Sequence, residues 1–138
     1  MKQPDKKYPK DLALYRLEIA GEDLRIARTL FDQRDFRVAN NRAYYSIYHS
    51  ISAVHALNEK AYKRHKDAIA NFNKDYIATE IFPKQLGRRI AEAEEIRHAS
   101  DYDDFFIATM EEAKEQIDTA SDLLELVTKY ITEIINKG

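Results

Sequence analysis

The feature that most limits the fold is a helix-length stretch almost without charge, "VANNRAYYSIYHSISAVHAL", residues 38–57. Its only formal charge is Arg42, whereas a chain with 33% charged residues would place about seven in such a window. On a helical wheel at about 100° per residue, Ala43, Ile47, Ile51 and Val54 share one face, with Tyr44 at its edge. That is an ordinary core stripe. Val38, Tyr45, His49, Ser52 and Ala56 lie on the opposite side, flanked by Asn41 and Arg42. This second face is too polar for a plain core and too uncharged for open water. A helix of that kind is central in a bundle or half buried in a partner chain. Aromatic residues with a single Arg match the core of a protein interface, so the expectation is a homodimer packed on this face.

The rest of the chain reads as all-α. Only three Gly and three Pro among 138 residues, with helix formers throughout, argue for helices joined by short connections. The length suits one domain with a single core. "MKQPDKKYPK", residues 1–10, is expected to be a flexible tail, and residues 11–138 one helical domain. Leu17, Ala20, Leu24, Ala27 and Phe31 place an amphipathic helix over 11–33. Asp35 can cap the next, which runs to about Asn58. Ile69, Phe72 and Tyr76 suggest a shorter third helix, and Pro83 suits the first turn of a fourth, whose opening Gly87 weakens. Thr109 and Glu112 form a capping box before a last helix striped by Ala113, Ile117, Ala120, Leu124, Val127, Ile131 and Ile134. Four long helices and one short one make an up-and-down antiparallel bundle.

Charge and composition exclude several functions. A net charge of −2 leaves no global basic field for nucleic acid, so any such binding is local. No run approaches the roughly 20 apolar residues of a membrane span. The absence of cysteine removes disulfides and thiolate metal sites, and with no apolar signal segment it points to the cytoplasm. His49 and His55 fall on different faces, and His65 and His98 have no carboxylate or His four residues on, so no helical metal site is expected. Glu92, Glu94 and Glu95 lack the Glu-x-x-His partners of a di-iron bundle and read as a solvated face. "YKRHK", residues 62–66, is the densest internal basic cluster, a loop or a phosphate-contacting lip.

Two places combine charge with an inward face. Arg42 and His49 are seven residues apart, on one face with Cα atoms about 10.5 Å from each other. A guanidinium reaching toward the imidazole could hold a phosphate between them. An Arg bonded to a buried carboxylate and a His satisfied in an interface would look the same. Farther on, Leu86, Ile90 and Ala93 form an inward stripe that Arg97 continues, and Asp101 stands one turn later. This is either an ion pair at a helix end with Tyr102 packed below, or the second wall of a polar cleft in which Arg97, Asp101 and Tyr102 meet Arg42 and His49. An arginine on each of two helices would make a phosphate clamp.

"NRAYYSIYH", then "IFPKQLGRRI" and "EEIRHASDY", in that order and separation, resemble the HEPN domain family, above all its small stand-alone prokaryotic branch. The resemblance covers about residues 11–135. It implies a helical bundle that dimerises, and a nucleotide or RNA as ligand, with no cofactor. Many members are toxins encoded with a minimal nucleotidyltransferase antitoxin, and many cut RNA without a metal through an R-x(4-6)-H motif. In those nucleases the motif lies near the place of Arg97, where His98 is adjacent; the only such spacing in this chain is Arg42 to His49. If the chain cleaves RNA, His49 would act as general acid or base on a ribose 2′-hydroxyl, a task suited to imidazole. Arg42 or Arg97 would stabilise the phosphorane, and Asn41, Arg42, Tyr45, Arg97, Asp101 and Tyr102 would bind the nucleotide or RNA. The alternative is a non-catalytic module that uses the same residues to hold a nucleotide or a nucleotidyltransferase partner.

Overall fold

The computed structural model describes residues 8–137. Five α-helices follow one another: α1 Pro9–Asp32, α2 Phe36–Leu57, α3 His65–Phe72, α4 Gln85–Tyr102 and α5 Met110–Lys137. α3 runs straight into a π-helical turn, Asn73–Ile77. Residues 1–7 of the expected tail lie outside the described residues, and Pro9 and Lys10 already belong to α1. Among the described residues no helix is long and apolar enough to cross a membrane.

Local chemistry sets the helix ends. The Asp35 carboxylate accepts from Val38 N–H at the start of α2, satisfying a donor that has no partner inside the helix. Thr109 and Glu112 close a reciprocal capping box at α5: Glu112 N–H donates to Thr109 Oγ1 at 3.1 Å and Thr109 N–H to Glu112 Oε1 at 3.2 Å. Pro83 stands just before α4 rather than within it. Gly87 has a packing reason, since a Cβ there would meet Ile77 Cγ2 of the π turn at 3.3 Å.

α2 is the central helix, packed against α1, α3, α4 and α5, and 13 of its 22 residues are buried. α1 and α2 run antiparallel: Ser46 Oγ donates to Ala20 O at 2.8 Å, and Arg16 Nη1 to Ser52 O at 3.2 Å. On the second face of α2, Ser52 and Ala56 are buried within the bundle, whereas Tyr45 and His49 are half-buried and Val38 is exposed. The central position of α2 accounts for much of the sparse charge of residues 38–57. In α5 the buried stripe is Ala113, Ile117, Ala120, Leu123, Val127 and Ile131. Leu123 fills the core where Leu124 was expected, since 3.6 residues per turn lets either neighbour face inward.

Candidate functional site

Asp23, on the inward face of α1, organises one end of the site. It is only 7% exposed, and its two oxygens separate two bases of α2: Oδ1 accepts from Arg42 Nη1 at 3.2 Å and Oδ2 from His49 Nδ1 at 3.0 Å. The guanidinium and imidazole, two turns apart, are therefore joined through one carboxylate. Arg42 also donates from Nε and Nη2 to Asn41 Oδ1, at 3.2 and 2.9 Å. The Asn41 amide passes the chain on, its Nδ2 lying 3.1 Å from both oxygens of Asp101. Asp101 in turn faces Arg97 Nη1 at 3.6 Å.

Aromatic rings hold the two guanidiniums. Arg42 lies over the Tyr45 ring at 4.9 Å, and Arg97 over Tyr44 at 4.7 Å and Tyr45 at 5.9 Å, so one tyrosine serves both cations. Burial works against the charged form of Arg97, but Tyr44, Tyr45 and Asp101 outweigh it and hold the group above its ordinary value. Its Nε is buried with no partner among the described residues. Asn41, Arg42, Tyr45, His49, Arg97 and Asp101 thus converge within one protomer. Tyr102 does not join them: it is 68% exposed and its ring pairs with His98 at 4.9 Å.

Asp23 and His65 escaped the sequence reading. Asp23 carried a signal, since it falls three residues after Ala20 and four before Ala27 on the buried stripe, as Arg97 does on its own helix. His65, inside the basic "YKRHK" cluster, stacks on Tyr48 at 3.7 Å between ring centroids and lies 3.0 Å from the Tyr44 hydroxyl through Nδ1. Burial pushes the Tyr44 phenol up to about 12. Burial first, then the Arg97 and His49 charges, keep His65 below its ordinary value. The Tyr44 phenol and the His65 imidazole therefore meet as neutral groups across this hydrogen bond. Among the described residues no group of three or more His, Cys, Asp or Glu side chains could hold a metal ion.

The family model of the HEPN domain matches residues 13–130. The chain belongs to the HEPN domain family. It is 31% identical over 119 residues to "Putative toxin MJ0605" of Methanocaldococcus jannaschii, covering 86% of this chain and 88% of that one. It is 27% identical over 115 residues to a "UPF0332 protein" of Thermotoga maritima, covering 83% and 87% respectively. Among solved structures, TT1696 from Thermus thermophilus superposes with a TM-score of 0.73 at 21% identity, over 85% of this chain and 96% of that one. This likeness concerns the fold, which this HEPN chain shares as an all-α bundle.

A second neutral histidine sets a pH response. His55 is buried and donates from Nε2 to Ala68 O at 2.9 Å. Burial holds it below its ordinary value despite that hydrogen bond, in the same direction as His65. The unfolded chain takes up these protons near about pH 6.5, before the folded chain does. The stability contributed by the neutral rings is therefore complete above that pH and declines as the pH falls toward the folded values. The melting temperature is expected to fall from pH 7 to pH 5, and less steeply in His55→Gln, which keeps a donor for Ala68 O. Parallel curves for the two proteins would refute this assignment.

Proposed function

We propose that this HEPN protein is a metal-independent endoribonuclease of toxin type, cutting single-stranded RNA where Arg42, His49 and Arg97 converge. The observation that carries the reading is the Asp23–His49 contact. A carboxylate on Nδ1 fixes the ring so that the proton sits there and Nε2 carries the lone pair. Nε2 then takes the proton of a ribose 2′-hydroxyl, the 2′-oxygen attacks the adjacent phosphorus, and the bond to the next 5′-oxygen breaks. The imidazolium returns its proton to that oxygen, leaving a 2′,3′-cyclic phosphate and a 5′-hydroxyl. Arg42 and Arg97 stabilise the phosphorane charge. Relatives that carry the name "Putative toxin" support the toxin part of the reading. Labelled single-stranded RNA incubated with the protein in EDTA should yield those two ends, and the all-2′-deoxy strand should stay intact. RNA left whole by the wild-type protein would end the enzymatic reading.

A second reading, attachment to a nucleotidyltransferase partner, is favoured by the α4–α5 connection. Phe105 is 94% exposed and Ile107 81%, beside the exposed Tyr102 and Met110. The connection is pinned, because Arg37 donates to the carbonyls of Ser100 and Phe106 and covers the Phe106 ring. Asp103 and Asp104, both exposed, belong to the same connection. A two-fold contact between copies would set these carboxylates against themselves, so the occupant is a different protein with basic residues around an apolar groove. The product of an adjacent nucleotidyltransferase gene should bind wild type and His49→Ala alike and lose Phe105→Asp/Ile107→Asp by more than tenfold. Equal binding by that double variant would remove the surface.

A further inference from the structure

His49 and Tyr48 also form the wall of a second cavity, of about 180 Å³, between α1, α2 and the segment leading into α3. Arg16, Ser52, Lys60 and Tyr62 line it with them, over a floor that includes the buried His55. No aspartate or glutamate lines it among the described residues. Two other depressions are mixed in charge: one combines Arg88 and Arg89 with Glu92 and Asp118, another Arg97 with Glu94 and Asp103. In a chain of net charge −2, a carboxylate-free cavity with two cations selects for an anion. Lys60 does reach Asp75, at 3.4 Å, but through a side chain that is half exposed.

Size and lining narrow the anion. Pockets for drug-sized ligands span about 300–1,000 Å³, so this cavity takes at most one nucleotide unit and not an oligonucleotide. Two tyrosines give a flat ring system something to stack on. Arg16 is anchored on Ser52 O, three residues beyond His49 and thus about 4.5 Å along α2. Since His49 belongs to both sites, whatever occupies the cavity is the immediate neighbour of the phosphate at His49.

We infer that this cavity is a subsite for the nucleotide flanking the reacting phosphate, with its phosphate on Arg16 and Lys60 and its base on Tyr48 and Tyr62. The inference rests on the RNA reading for the identity of its ligand. It is tested by fluorescence anisotropy of an uncleavable 2′-O-methyl trinucleotide on the wild-type protein, Lys60→Ala and Tyr62→Ala. Each substitution should weaken binding about tenfold, and Lys60→Ala should also reduce the slope of log affinity against log salt by about 0.7. Tyr62 packs on His55 at 4.8 Å, so if Tyr62→Ala melts early, the half-exposed Lys60 decides alone. No binding by wild type, or unchanged binding and salt slope in Lys60→Ala, overturns the subsite even if RNA is cut. Inorganic phosphate competing as well as a mononucleotide overturns it too, by showing a bare anion site. Weakened binding by the variants in a protein that cuts no RNA leaves the subsite standing and ends only the ribonuclease reading.

Discussion

His49→Ala is expected to lower RNA cleavage by about 10²–10⁴-fold, the range that general acid–base groups supply, with RNA binding nearly unchanged. The ring contributes one hydrogen bond to the fold, from Nδ1 to Asp23, and after its loss Asp23 keeps Arg42 as partner. Unfolding free energy should therefore fall by only about 1–2 kcal/mol. Arg42→Ala differs in kind, because it removes the proposed phosphate contact and leaves the buried Asp23 with His49 as its remaining partner; it should weaken binding as well as turnover. Asp23→Asn isolates the orienting role, since it preserves shape while no longer fixing the His49 proton on Nδ1. Its turnover should drop with little change in KM. Full cleavage by purified His49→Ala would sink the assignment, and unfolding of that variant would make the histidine a structural residue.

Ala56→Glu should have the largest effect on stability. Ala56 is 4% exposed and belongs to the hydrophobic core around α2. A glutamate there must leave its charge without a partner or force the helices apart, at a cost of about 3–5 kcal/mol. That is a large share of the roughly 5–15 kcal/mol that holds an ordinary domain folded. Urea denaturation should show the midpoint collapsing at every protein concentration. Had α2 been covered by a second copy, the same substitution would give a folded monomer. A variant that sediments at half the wild-type mass and melts at the wild-type temperature would support a homodimer on this face and contradict the buried position of Ala56.

The capping pairs Asp35–Val38 and Thr109–Glu112 were legible because donor and acceptor lie within three residues of each other. So were the stripes of α1 and α5, apart from the choice between Leu123 and Leu124. Arg42, His49 and Arg97 stood out because each breaks an apolar or uncharged pattern. Asp23 broke one as well, yet α1 holds many charged residues and one more acid among them drew no notice. The stacking of His65 on Tyr48 was out of reach, since it depends on how the α2–α3 connection folds back. The cover of α2 could not be assigned either: composition reports that a face is covered and says nothing of which chain covers it.

The convergence of these groups from α1, α2, the start of α3 and α4 has a consequence for synthesis. Asp23 leaves the ribosome first, then Arg42 and His49, then His65, and Arg97 last. At about 5–20 residues per second, several seconds pass before the second guanidinium exists, and longer before α4 docks on α2. A truncated chain would carry the base without its full clamp. On the ribonuclease reading proposed above, a cell would meet the cleaving activity only as each copy is completed, which would leave an interval for a partner made nearby to arrive first.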